Sequence, residues 1–176
     1  IGVPMVLRTQ GGTGRSAAAQ HSQSLEAWFT HVPGLRVVMP ATVNDAYHLL
    51  RMALKCPDPV IFIEHKGLYV RKGEMDVAKP DGEWGKALVR RNGSDLTIVA
   101  YSKMVHEALD AAETLARQGV EAEVVDIRTL NPLDESDMVH ILTDPRNSLC
   151  RQYEKLFEFA GSELVFPRAA ACAWAG

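Results

Sequence analysis

The sequence predicts an α/β fold, and three observations carry that prediction. Short apolar runs of strand length alternate with segments whose apolar residues recur every three or four positions. The alternation breaks off once, at a polar stretch near the middle of the chain, and then resumes. In the first half the order reads strand, helix, strand, helix, strand, which implies a parallel sheet with right-handed crossovers and helices packed on it.

The elements follow in order. VPMVLR, Val3 to Arg8, is expected as a buried strand, and because the chain opens at Ile1 directly in this run it is expected to enter in mid-domain. Ser24 to Thr30 reads as a short helix, Leu35 to Pro40 as a strand stopped by Pro40, Asn44 to Leu54 as a helix, and Pro59 to His65 as a strand. Ala46, Leu49, Leu50 and Ala53 keep helical spacing, so that face is expected on the sheet. Asn44 or Thr42 can cap this helix. Thr42 is preferred, because Asp45 then falls in the first turn, where negative charge is favourable. In such a sheet, ligands are expected at the C-terminal ends of the strands.

From Val70 to Ser94 the apolar period fades and Gly, Lys, Asp and Pro dominate, as in an interdomain linker, with one short strand in GKALVRR near its end. A second α/β unit follows: a strand from Leu96, a helix from Met104 to Gln118 stopped at Gly119, and a strand in EAEVVDIR from Glu121. Val105, Ala108, Leu109, Ala112 and Leu115 form one stripe and read as core. After Thr143 the chain has neither strand alternation nor caps. A helix over Arg151–Phe159, with Tyr153, Leu156 and Phe157 on one face, is its one expected element, and no function is assigned to it. The expected domain layout is therefore 1–72, a linker at 73–94, a second domain over 95–148 and a divergent tail at 149–176.

Composition bounds the function classes. Hydrophobic residues make up 47% and charged residues 23%, with a formal net charge of −3, so no polybasic stripe calls for nucleic acid and no acidic run calls for disorder. Cys56, Cys150 and Cys172 form no CxxC pair, which suits a reducing compartment better than a disulfide scaffold. No run approaches the about 18 apolar residues that would span a membrane, and no signal-peptide pattern is present. Bacterial cytoplasm or mitochondrial matrix would both serve.

The candidate site lies in the run from Ala17 to Leu50. His21 is expected at a loop-to-helix junction, where unpaired backbone N–H groups bias nearby charge, after a glycine-rich loop, Gly11-Gly12-Thr13-Gly14, able to approach a ligand. A cap partner or a surface histidine is the alternative. Ser22 and Gln23 either orient His21 or cap the helix. Glu26 reads as a solvated or hydrogen-bonded helix residue. Glu64-His65-Lys66 ends a strand where a site could sit, or forms an exposed turn or subunit contact. His31 and Pro33 read as structural, and His48, His106 and His140 lack metal-ligand spacing.

Four blocks, QHSQSLEAWF, HVPGLRVVMP, DPVIFIEHKGLY and EVVDIRTLNPLD, stand in an order that resembles the β subunit of the thiamine-diphosphate-dependent decarboxylating component of 2-oxo acid dehydrogenase complexes, in the transketolase-like superfamily. The resemblance covers roughly Val3 to Thr143. It implies the C-terminal part of a pyrimidine-binding domain followed by a truncated transketolase C-terminal-like domain. It also implies oxidative decarboxylation of pyruvate or cleavage of acetoin, with acyl transfer to a lipoyl group, in which His21 matches the family's active-site histidine. The implied partners are an α subunit in an α₂β₂ assembly and a lipoyl-bearing acyltransferase. The diphosphate and Mg²⁺ would be held by the α subunit through a GDG-type motif absent here, and the glutamate that activates the cofactor ring would precede Ile1.

A structural K⁺ is implied as well, at backbone carbonyls matching Met5, Ala53, Leu54, Cys56 and Asp58, although Cys56-Pro57 replaces the more acidic pair usual at that turn. A tight turn without metal is the alternative. Two further readings stay open for the whole chain: a non-catalytic or degenerate fragment, and a piece of a one-chain enzyme such as a transketolase or deoxyxylulose-phosphate synthase. KGLYVRKGE and AYSKMVHEAL resemble the acetoin and pyruvate members more than the branched-chain ones.

Overall fold

The computed structural model describes residues 2–14, 18–79 and 82–134. His140, Cys150, Cys172, the expected helix over Arg151–Phe159 and the tail lie outside them. The described chain forms two sheets. In the first, β1 (Val6–Gly11), β3 (Val60–His65) and β2 (Arg36–Val38) run parallel in that spatial order. In the second, β5 (Leu96–Ala100) pairs parallel with β6 (Ala122–Asp126), and β4 (Leu88–Arg91) pairs antiparallel with it. The expected βαβαβ order is therefore present, with α1 at Glu26–Thr30 and α2 at Val43–Leu54 as crossovers.

Period-two alternation along β3 explains how the first sheet is held. Val60 and Phe62 face Leu49, Met52 and Ala53 of α2, while Ile61 and Ile63 face the opposite layer with Leu130 and the half-buried Phe29 of α1. All four β3 residues are buried, and each contributes on the order of 1.5–3 kcal/mol by leaving water. Helix α3 (Lys103–Ala116) covers the second sheet with Val105, Ala108 and Ala112, and Leu109 and Leu115 pack beside them, as the stripe required. Gly119, at φ +80, ends it, and the Val120 N–H donates back to the Leu115 carbonyl at 3.1 Å.

Thr42 caps α2 as preferred. Its hydroxyl accepts from the Asp45 N–H at 3.1 Å and the Asp45 carboxylate accepts from the Thr42 N–H at 2.9 Å, a reciprocal capping box. Three features differ from the sequence reading. Strand β1 starts at Val6 and runs into Gly11, with Val6 opposite Val60 and Gly11 opposite His65, and as an edge strand it is exposed or half-buried and not the buried strand expected. The buried face of α2 is Asp45, His48, Leu49, Met52 and Ala53, with Ala46 and Leu50 only half-buried. The segment from Gly73 onward covers that flank: the Asp76 carbonyl meets His48 Nε2 at 2.8 Å, the Asp76 N–H donates to Asn44 Oδ1 at 2.7 Å, and Trp84 packs on the core. Finally β7 (Thr129–Asn131), not foreseen, returns to the first sheet antiparallel to β2, with Asn131 Nδ2 donating to the Leu35 carbonyl at 2.8 Å.

Candidate active site

The parallel pairing of β1 and β3 puts Gly11 beside His65, so both strands deliver their C-terminal ends to one edge of the sheet. There the chain turns back on itself: the Gly12 N–H donates to the Gln23 carbonyl at 3.0 Å. Ala18, at φ +65, leads into a single 3-10 turn over Ala19–His21. The Ser22 hydroxyl closes that turn by donating to the Ala18 carbonyl at 2.9 Å. His21 is exposed and lines a cavity of about 170 Å³ with Gln10, Gln20, Gln23, Phe29, Ile63 and Lys66. An imidazole and carboxamides thus stand at the rim of a partly apolar recess.

His21 does not sit at the start of an α-helix. Its N–H already donates to the Ala18 carbonyl at 3.3 Å, and α1 begins only at Glu26, with Leu25 as an N-cap that supplies no side-chain bond. The left-handed Ala18 and the Ser22 hydroxyl close a tight turn before an α-helix can propagate. Ser22 therefore caps the 3-10 turn and not α1, and Gln23 contributes its carbonyl. Glu26 is hydrogen-bonded as expected: the Tyr101 hydroxyl donates to its Oε1 at 3.0 Å. Burial, aided by that bond, raises the Tyr101 pKa.

The strand-end cluster separates into three roles. Glu64 is paired, with the Arg8 guanidinium at 2.8 Å and the Tyr69 hydroxyl donating to it at 3.0 Å. Lys66 lines the His21 cavity. His65 is half-buried, and its Nδ1 accepts from the Gly67 N–H at 3.0 Å. Burial, then the charges of Lys103 and Lys66 against the opposing pull of Glu26, hold its pKa below the ordinary histidine value. His48 and His106 each meet a backbone carbonyl at 2.8 Å, those of Asp76 and Ala41. Among the described residues no three His, Cys, Asp or Glu side chains are placed to hold a metal.

Met5, Ala53, Leu54, Cys56 and Asp58 gather at the other end of the sheet, where β3 begins. The Met5 carbonyl accepts from the Val60 N–H at 2.8 Å and the Ala53 carbonyl from the Cys56 N–H at 3.1 Å. The Asp58 carboxylate accepts from Arg36 at 2.9 and 3.0 Å.

Two features escaped the sequence reading. A cavity of about 520 Å³ opens where the start of α2, the end of β3 and α3 meet, lined by Asn44, His65, Tyr69, Arg71, Arg90 and His106. The strand-end rule points to that edge, but its walls come from both halves of the chain. Behind it, Arg90 bonds the carboxylates of Asp45 and Asp126, the latter at 2.7 Å, tying α2 to the second sheet. Burial pushes the Asp126 pKa up to about 6.

Comparison with known proteins gives this geometry a family. The transketolase pyrimidine binding domain matches residues 1–72 and the transketolase C-terminal domain matches residues 85–154. The chain belongs to the transketolase-like family. Within it, the relatives are β subunits of acetoin, pyruvate and branched-chain 2-oxo acid dehydrogenases. The β subunit of an acetoin:2,6-dichlorophenolindophenol oxidoreductase from Cupriavidus necator is 53% identical over 131 residues, 74% of this chain and 39% of that protein. A mitochondrial pyruvate dehydrogenase E1 component subunit beta-2 from Oryza sativa is 44% identical, covering 77% of this chain and 37% of the relative. The β subunit of 2-oxoisovalerate dehydrogenase from Bacillus subtilis is 46% identical, covering 77% and 42%. The transketolase-like chain described here thus spans about two fifths of the length of these curated relatives. Among solved structures, a split-gene transketolase, an inactive β4 tetramer, aligns with a TM-score of 0.62 at 29% identity, over 77% of this chain and 43% of that one.

Proposed function

We propose that these residues form part of the β subunit of a thiamine-diphosphate-dependent 2-oxo acid dehydrogenase of the pyruvate or acetoin type, and that His21 serves its acyl-transfer step. One observation carries the reading: an exposed imidazole stands at the rim of a recess at the C-terminal ends of β1 and β3, within a chain of this family. At that position a histidine can hold or move a proton as a lipoyl arm arrives from outside to take up the acyl group. The cofactor, when bound, supplies the electron sink for the carbon–carbon cleavage.

The recess, at about 170 Å³, fits one end of such a group and not a whole cofactor. Among the described residues it has no carboxylate that could ligate Mg²⁺, and this reading assigns the diphosphate and Mg²⁺ to an α subunit in an α₂β₂ assembly. The acyl group would pass to a lipoyl-bearing acyltransferase, in bacterial cytoplasm or mitochondrial matrix. Apolar side chains left exposed at Met5, Leu7 and Trp28 support a subunit contact on this side of the first sheet. A structural K⁺ is proposed at the carbonyls of Met5, Ala53, Leu54 and Cys56 beside Asp58. The Met5 oxygen keeps a second lone pair after accepting the Val60 N–H, and carbonyl oxygens suit a hard cation.

The test is assembly followed by turnover. The purified chain alone should give no thiamine-dependent consumption of acetoin or pyruvate. It should associate with an acetoin- or pyruvate-type α subunit in light scattering across a dilution series. A concentration-independent monomer indifferent to that subunit would count against the reading. For the cation, KCl should raise the melting temperature more than NaCl at equal ionic strength; equal curves would remove the site.

A further inference from the structure

The chain is built closely around one side chain that the proposed site leaves unused, the ring of His65. Gly12, at φ +88, approaches it so nearly that a methyl group on its Cα would lie 2.3 Å from the ring Cδ2 and Nε2. On the other side the Gly67 N–H donates to Nδ1 at 3.0 Å, and a methyl group on Gly67 would lie 3.1 Å from Nδ1 and 3.3 Å from the Lys103 stem. The imidazole is thus held between two glycines. Gly12 is also one side of a neck, since its N–H donates to the Gln23 carbonyl at 3.0 Å, and a methyl group on Gly11 would lie 3.1 Å from the same oxygen. The chain that carries the Ala19–His21 turn leaves and returns at the residue that rests on the His65 ring.

We infer that His65 is a positioning residue: by filling the space beneath Gly12 it sets the height of the Gly12–Gln23 neck, and with it the seat of His21 against its cavity. The catalytic part of this inference rests on the reading of His21 given above; the mechanical part does not. Because Nδ1 accepts from Gly67, the neutral ring carries its proton on Nε2. Protonation would set a second N–H against the Gly67 N–H and break that bond. The groups acting on the ring are Lys103 from α3, Glu26 from α1 and Lys66, next in the chain; Glu64, paired with Arg8 and Tyr69, lines the larger cavity beside it. Arg71, Arg90 and His106 stand across the larger cavity. The cations and burial favour the neutral ring at neutral pH, so acidification should loosen the neck.

Amide hydrogen exchange on the full chain tests this, with α3 and β6 as internal reporters of global folding. His65→Ala should speed exchange over residues 18–25 by roughly tenfold while α3 keeps its protection. His65→Phe, which fills the space but offers the Gly67 N–H no acceptor and cannot ionise, should keep most of the protection that His65→Ala loses and show no further acceleration as the pH is lowered. Unchanged exchange over 18–25 in His65→Ala overturns the inference. Should His65→Ala fail to fold, His65→Phe decides: preserved protection with flat pH dependence supports the inference, and a wild-type pH response overturns it. In the assembled enzyme, His65→Ala should lower kcat with KM little changed, and His65→Phe should restore it. Full turnover by His21→Ala would instead remove the catalytic reading while leaving the exchange result to stand.

Discussion

Arg90 on β4 and Asp126 on β6 form a buried ion pair at 2.7 Å, with the Asp126 side chain wholly removed from solvent. A second bond, from Arg90 Nε at 3.1 Å, orients the guanidinium so that its outer nitrogen also reaches Asp45 at the start of α2. Asp45 is at once the capping-box residue of α2 and the anchor of β4. The cap of one helix and the docking of the second sheet therefore depend on the same carboxylate.

Removing the shared cation should be costly. Arg90→Ala leaves two buried carboxylates without their principal partner, and an uncompensated buried charge typically costs about 3–5 kcal/mol. Urea denaturation should show a loss of that order. A change below about 1 kcal/mol would mean that water already screens the pair.

Asp126 gives the chain a signed pH dependence. Its folded pKa, raised to about 6, exceeds the ordinary carboxylate value of 3.8, so the native state binds the proton more tightly than the unfolded chain does. The stabilisation is complete below the unfolded pKa and is lost as pH rises through the folded one, a change on the order of 3 kcal/mol between about pH 4 and 6. Asp126→Asn should flatten that segment of the stability curve, measured as unfolding free energy against pH. An unaltered slope would assign it to other groups.

Ser102 is held at φ +53 and ψ −129 between β5 and α3, and its buried hydroxyl has no hydrogen-bond partner. Both features cost free energy, and glycine removes both. Ser102→Gly should raise stability by about 1 kcal/mol, read as a rise in Tm of several degrees. Ser102→Val should lower it. A lower Tm for the glycine variant would show that the hydroxyl has a role beyond this strain.

His21→Ala should spare the fold, because the side chain is exposed and its turn is closed by Ala18 and Ser22. In an assembled enzyme turnover should fall by about 10²- to 10⁴-fold, the range of a lost acid–base group, with KM moving less. Normal lipoamide acylation would reduce His21 to a turn residue.

Strands β1 to β6, the three helices and the α2 cap were legible because each follows from local chemistry. An unbroken apolar run, Val60 to Ile63, makes β3 buried on both faces, and Thr42 and Asp45 lie within one turn of each other. The candidate site was legible as an edge and as a histidine, since parallel strands collect ligands at their C-terminal ends and four motif blocks pointed to His21. Its local form was not. A helix from Ser24 with His21 at its junction was a reasonable reading of SQSLEAWF, yet the positive φ at Ala18 sets His21 in a separate 3-10 turn and α1 begins only at Glu26.

The sequence by itself determined the α/β order, the crossovers and the residue types at the sheet edge, because these depend on neighbours within a few positions. Only the tertiary structure decided that β7 returns to the first sheet, that Asp45 is buried against Arg90, and that His65 fills the space under Gly12. Each of these joins residues more than 40 positions apart. Such pairings are chosen by mutual burial and charge compensation in the folded molecule, and neither a local period nor a capping rule carries that information.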